Sequence, residues 1–167
     1  MKVVILCGGK GTRLSEETKI IPKPLVKIGN KHILVQIINY YKKFGLNDFI
    51  IAVGYKGNLI KKYFSKSNYD NNIKVIDTGL NSMTGTRLLK LKKFFKVNEN
   101  FMLTYGDGLS DIDILKTFKF HLNHKKIVTL TAVRPPVRFG ELRLKDTKVT
   151  KFMEKTQTTH GWINGGY

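Results

Sequence analysis

The chain has 167 residues, enough for one domain with a substantial core. Its 30 lysines and arginines against 12 acidic residues give a formal net charge of +18, a field that attracts phosphorylated small molecules, acidic lipid or nucleic acid. The lysines are scattered, without a basic tail or arginine-rich block, so they read as solvated surface; we expect neither a nucleic-acid nor a membrane partner.

The amino terminus opens on a strand-like run, Lys2 to Leu6, too short for a signal peptide or a membrane span. Cys7 follows as the single cysteine, which excludes an intrachain disulfide, and no Cys/His spacing suits zinc. A reducing, cytoplasmic setting is expected. Ile33, Leu34, Ile37, Ile38 and Tyr41 share one helical face, and Gly45 is placed to end that helix. Phe49 to Val53 is the next strand, Leu59 to Phe64 the next helix, and Asn68 to Asn72 a polar loop. Ile73 to Ile76, Phe101 to Thr104 and Ile127 to Ala132 are further strands; Thr86 to Phe95 and Ile112 to Leu122 are further helices. Asp111 and Asp113 stand where a helix cap is wanted. Strand alternating with helix predicts an α/β fold with a mostly parallel sheet covered on both faces, and ligands beyond the carboxyl ends of the strands. After Pro135 and Pro136 the pattern changes to a small antiparallel hairpin, Leu142 to Leu144 and Val149 to Met153, turning around Asp146. The pattern stops at Asn164-Gly165-Gly166-Tyr167 without a closing helix, which we read as an interruption.

The first strand runs into Gly8-Gly9-Lys10-Gly11-Thr12-Arg13-Leu14. Glycines after a strand let backbone N–H groups approach phosphate oxygens. Neither Gly8 nor Gly9 continues as a Walker loop, and a dinucleotide fingerprint from Gly9 needs glycine where Leu14 stands.

Together with Pro22-Lys23-Pro24-Leu25, this loop resembles the signature of the sugar-1-phosphate nucleotidyltransferases. Ser15-Glu16-Glu17-Thr18, Gly54-Tyr55-Lys56-Gly57, Asp77-Thr78-Gly79, Ser82-Met83-Thr84-Gly85, Tyr105-Gly106-Asp107-Gly108 and Asn164-Gly165-Gly166 are similar to the glucose-1-phosphate cytidylyltransferase branch. The resemblance implies a three-layer, Rossmann-like nucleotidyltransferase domain over residues 1–167. Residues 1–133 would bind nucleotide, and 134–167 would be the start of an incomplete sugar-phosphate part, the chain being truncated at its carboxyl terminus.

The implied reaction transfers CMP from CTP to glucose 1-phosphate, giving CDP-glucose and pyrophosphate for surface polysaccharide such as O-antigen. A uridylyl-, thymidylyl- or guanylyltransferase, or a nucleotide-binding domain without turnover, remains an alternative, and a homo-oligomer is left open. The resemblance puts Leu6, Cys7, Gly8, Gly9, Lys10, Gly11 and Thr12 around the nucleotide. It gives Arg13 the departing phosphates, Lys23 the charge at the reacting ones, and Asp107 a Mg²⁺ ion. Thr78, Ser82, Thr84, Gly85 and Arg87 are implied in holding CTP. Glu154, Lys155, Asn164 and Gly165 are implied on the sugar phosphate. The family is longer, and its second metal-binding aspartate falls outside these residues. Thr86 and Thr156 replace residues common in the family, glycine and proline. Cys7 replaces an alanine, and we expect it to be a packing residue.

Overall fold

The computed structural model describes residues 1–9, 20–66, 72–135, 141–153 and 161–167. These fall into two compact units, Met1–Lys126 and Ile127–Tyr167.

In the first unit, β1 (Lys2–Cys7), β4 (Asp48–Val53), β5 (Ile73–Asp77) and β6 (Phe101–Tyr105) form one parallel sheet in the order β5-β4-β1-β6. β1 is central, with Val4 opposite Ile50 on one side and Leu103 on the other. Every residue from Val3 to Cys7 is buried, because helices cover both faces of a parallel sheet.

Three helices connect these strands: α1 (Ile33–Lys42), α2 (Gly57–Lys66) and α3 (Thr84–Leu91). The chain steps outward from β1 to β4 to β5, then returns past β1 to β6. Right-handed crossovers therefore put α1 and α2 on one face and α3 on the other. Leu91 of α3 packs with Val4, Leu6, Ile50 and Ala52, the residues pointing to a single side. The opposite face, Val3, Ile5, Phe49 and Ile51, is equally buried, and α1 and α2 supply the remaining apolar cover, including Leu34, Ile38, Ile60 and Phe64.

All five residues expected on the buried stripe of α1 are buried. The helix ends as its sequence predicts: Gly45 takes φ +78, its N–H donates to Lys42 O at 3.0 Å, and Leu46 N–H donates to Tyr41 O at 3.3 Å. That pair of bonds is a Schellman cap, and buried Leu46 supplies its apolar contact. α4 (Ile114–His124) follows β6, and the Asp113 carboxylate caps it by accepting from Lys116 N–H at 3.0 Å. Between β1 and α1, the short strands β2 (Lys27–Ile28) and β3 (Lys31–His32) pair antiparallel.

The second unit contains β7 (Ala132–Val133), paired antiparallel with β10 (Ile163–Asn164), and a hairpin of β8 (Glu141–Lys145) and β9 (Lys148–Met153). Asp146 sits in the turn at φ +54, as expected for a residue type that tolerates left-handed backbone. One expectation needs correcting. Ile127 to Ala132 is not a strand: only Ala132 and Val133 find a pairing partner among the described residues. Ile127 is 96% exposed, because apolar composition makes a strand only where a neighbouring strand and a covering layer exist. No helix of the described residues is long and apolar enough to cross a membrane.

Candidate active site

The sheet order reverses between β1 and β6, so the ligand crevice of such a sheet lies outside their carboxyl ends. A cavity of about 300 Å³ opens there. β1 contributes Leu6, Cys7, Gly8 and Gly9, and β6 contributes Tyr105, Gly106 and Asp107. Lys23 and Pro24 form a second wall, and Ser82, Met83, Thr84 and Arg87, around the start of α3, form a third.

Each wall is held by local chemistry. Gly106 N–H donates to Leu6 O at 2.9 Å, keeping the chain beyond β6 against the end of β1. A β-carbon on Gly106 would lie 2.3 Å from Cys7 Sγ, so only glycine permits this approach. Burial of Cys7, with the charge of Asp107 adding to it, raises the thiol pKa far above its ordinary value, and the group stays neutral. Pro22 and Pro24 shape a 3₁₀ turn at Lys23–Leu25, in which Leu25 N–H donates to Pro22 O and Val26 N–H to Lys23 O. Pro24 and Leu25 are buried, which anchors the turn and leaves the Lys23 side chain at the cavity. From there Lys23 Nζ donates to Asp107 Oδ2 at 2.5 Å.

Arg87 is the least expected member. Its guanidinium is buried among oxygens of the protein that accept its hydrogen bonds. Nη1 donates to Thr78 Oγ1 at 2.6 Å, Gly79 O at 2.9 Å and Val53 O at 3.2 Å; Nη2 donates to Gly8 O at 2.9 Å and Leu80 O at 3.4 Å. One side chain thus ties the loops after β1, β4 and β5 together. Desolvation lowers its pKa, and Asp77 opposes that shift. Three residues on, Lys90 Nζ donates to Thr78 O and Ser82 Oγ, so α3 grips the 78–82 loop twice.

The arrangement accounts for two glycines that the sequence shows without explaining. A β-carbon on Gly8 would fall 2.1 Å from Arg87 Cζ, and one on Gly54 would meet Arg87 Nη1 and Gly79 O at 2.8 Å each. Gly54 begins the Gly54-Tyr55-Lys56-Gly57 motif, whose sequence carries no sign that a distant guanidinium will pack on it.

Of the residues named from sequence, Leu6, Cys7, Gly8, Gly9, Lys23, Ser82, Thr84, Arg87 and Asp107 line this cavity. Thr78 is buried and not among its lining residues; its hydroxyl donates to Val53 O at 2.8 Å. Gly85 lies in the first turn of α3 and is not in the lining either. Asn164 and Gly165 belong to the second unit, where Gly165 N–H donates to Thr131 O and Asn164 Oδ1 accepts from Gly166 N–H. Lys10, Gly11, Thr12, Arg13, Glu154 and Lys155 lie outside the described residues. Sequence reasoning assigned no role to Pro24, Met83, Tyr105 or Gly106, although each stands inside a motif it had marked.

The site therefore offers bare main chain at Gly8 and Gly9, an ammonium at Lys23 and a carboxylate at Asp107. α3 starts with no side-chain cap, so its first N–H groups remain donors beside Ser82 and Thr84. Such a set suits a polyanion with a hard cation. Residues 2–167 match the model of the family described as nucleotidyl transferase. The glucose-1-phosphate cytidylyltransferase of Salmonella typhimurium is 45% identical, over 100% of this chain and 74% of that protein. The D-glycero-alpha-D-manno-heptose 1-phosphate guanylyltransferase of Campylobacter jejuni is 38% identical, over 99% of this chain and 74% of that protein. The crystal structure of HddC from Yersinia pseudotuberculosis superposes with a TM-score of 0.70 at 29% identity, covering 99% of this chain and 74% of that one, and has also been solved complexed with GMP-PN. A parallel sheet with its glycine turn and Lys23–Asp107 pair at the strand-order reversal, in a sequence matching that family along its length, belongs to an enzyme of the nucleotidyl transferase family.

Proposed function

We propose that this protein transfers CMP from CTP to a hexose 1-phosphate, with glucose 1-phosphate the first choice, releasing pyrophosphate and forming CDP-glucose for surface polysaccharide. The observation that carries the reading is the meeting of Lys23, Asp107 and the bare Gly8–Gly9 backbone in one cavity, joined to 45% identity with a cytidylyltransferase.

In this reaction a sugar-phosphate oxygen attacks the α-phosphorus in line with the departing pyrophosphate; the new P–O bond forms as the α–β bridge breaks. The attacking oxygen is already ionised, so no general base is required, and the protein contributes position and charge. Gly9, with open space where a β-carbon would stand, leaves room for phosphate against the main chain, Gly8 makes room for the Arg87 guanidinium behind it, and Lys23 neutralises charge at the reacting group. The resemblance gives Arg13 the leaving phosphates. Thr84 and the first turn of α3 offer a hydroxyl and N–H groups to the base or ribose, and Ser82 Oγ, which donates to Thr78 O, offers an acceptor.

The donor set fits Mg²⁺. Asp107 presents one carboxylate at the cavity, and among the described residues no group of three or more His, Cys, Asp or Glu is placed to hold a metal. Magnesium commonly takes one or two carboxylates and completes its shell with substrate phosphates and water, so Asp107 would hold it. Bound there, the ion would draw charge from the phosphate oxygens.

The test is pyrophosphate release from CTP, UTP, GTP and dTTP with glucose 1-phosphate and Mg²⁺. Preference for CTP supports the proposal. A guanylyltransferase is the second reading, favoured by the 38% identical Campylobacter jejuni protein and by HddC complexed with GMP-PN, and a preference for GTP would select it.

A further inference from the structure

Residues 88–97 read Leu-Leu-Lys-Leu-Lys-Lys-Phe-Phe-Lys-Val, from the last turns of α3 into a 3₁₀ turn at Lys92–Phe94. Its apolar side chains divide into two sets. Leu88, Leu91, Phe94 and Phe95 pack on the core cluster of Val4, Leu6, Ile50 and Ala52. Leu89 and Val97 do not: they are 69% and 92% exposed. With Lys90, Lys92, Lys93, Lys96 and the half-buried Phe95 they line an open groove of about 520 Å³.

None of these lysines forms an ion pair with a described carboxylate, and Glu99, the nearest acid along the chain, is already held by Lys2 at 2.5 Å. Lys90 is engaged with Thr78 and Ser82, which leaves Lys92, Lys93 and Lys96 as the outward charges. A partner drawn to them would be anionic, and the neighbouring groups narrow its kind. Single-stranded nucleic acid stacks on open aromatic faces, but Phe94 packs on the core, and Phe95, which also lines the groove, has its half-buried ring against Phe101 at 4.8 Å and Lys2 Nζ at 5.6 Å. A small phosphate ligand is held by arginine forks or clustered backbone N–H groups, and this groove is lined by flexible lysine stems. Cationic stems interleaved with exposed aliphatic side chains match an acidic membrane surface, where ammonium groups meet headgroup phosphates and Leu and Val enter the interface.

We propose that the groove formed by Leu89, Lys92, Lys93, Lys96 and Val97 docks the protein on an anionic lipid bilayer. The proposal is independent of which nucleotide the enzyme uses, and it departs from the sequence-based expectation of solvated lysines and no membrane partner.

The experiment is co-sedimentation of the protein with vesicles of phosphatidylglycerol and phosphatidylcholine, against vesicles of phosphatidylcholine alone. Binding to the acidic vesicles alone, weakening with salt, is expected. The triple variant K92E/K93E/K96E should lose about 10²-fold or more in partition, since each lysine near an acidic surface contributes about a factor of five to ten. A control, K61E/K62E/K66E, makes the same charge change at exposed positions of α2 and should keep most of the binding. L89S/V97S should reduce the binding that survives high salt. Melting curves and CTP turnover of each variant verify that the fold persists. Equal binding to both vesicle types, equal loss in the two triple variants, or displacement from vesicles by a single-stranded oligonucleotide at lower concentration than the lipid would overturn the proposal.

Discussion

Lys23 Nζ and Asp107 Oδ2 stand 2.5 Å apart although 84 positions separate them in the chain. Their side chains keep 30% and 39% exposure, and a pair so open to water adds only about 0–1 kcal/mol to stability. Its consequence is placement: a cation from the Pro22-Lys23-Pro24 turn and an anion from the turn after β6 face one another in the cavity proposed above to take a phosphate and its metal.

Replacing Lys23 by Ala or Asp107 by Asn should therefore separate activity from stability. Turnover in the pyrophosphate-release assay is expected to fall by about 10²-fold or more, the usual loss for one charge-stabilising group. The melting temperature should move by no more than about 4 °C, because about 1 kcal/mol shifts a domain of this size by roughly 2–4 °C. A wild-type rate in either variant would remove that residue from the mechanism.

Arg87 presents the opposite case. Replacing it by Met takes the donor from the carbonyls of Gly79 and Leu80 and leaves Gly8 O with only Tyr55 N–H at 3.4 Å, at about 1–3 kcal/mol for each group that stays dry, while Val53 O keeps Thr78 N–H and Oγ1. The expected loss is roughly 3 kcal/mol or more in urea unfolding. Gly8→Ala should also destabilise, since its new carbon collides with the guanidinium, and should cost much less in an Arg87→Ala background. Additive free energies for this pair would show that the two do not meet.

Cys7 gives a pH test. Its folded-state pKa is raised by burial and by Asp107, while the unfolded thiol ionises near 8.5. A raised pKa contributes stability that is complete below the unfolded value and disappears as pH climbs toward the folded one. From pH 7 to 9.5 the wild type should lose about 1 kcal/mol from this group, roughly 2–4 °C, and Cys7→Ala should lack that component. Melting curves across this window would measure it, and parallel wild-type and variant slopes would exclude it.

Two nearby aspartates should behave differently. Asp113 caps α4, so Asp113→Ala should cost about 1 kcal/mol of stability and leave kcat unchanged, whereas Asp107→Asn affects turnover first. A tenfold fall in kcat for Asp113→Ala would contradict its assignment as a cap.

Much of the scaffold was legible in the residues themselves. The Val/Ile run of β1, the helical stripe of α1 with Gly45 behind it, and Asp113 before α4 each encode their structure within a few positions, where backbone sterics and local hydrogen bonds decide. Ile127 to Ala132 was misread because a strand depends on partners that its own composition does not reveal. The cavity was legible as a set of motifs, while its internal supports were not. Nothing near Gly54 announces Arg87, and nothing near Lys23 announces its distance to Asp107.

By itself, then, the sequence determined the alternation of strand and helix, the glycine turn after β1, the kinship with nucleotidyl transferases and most of the chemical types that line the cavity. Tertiary structure alone decided that β6 lies beside β1, so that Asp107 meets Lys23, and that Arg87 spends its donors on three loops. The physical reason is range: propensities, caps and turns act over a few residues, whereas the crossover back past β1 and the burial of a guanidinium depend on contacts between segments tens of residues apart.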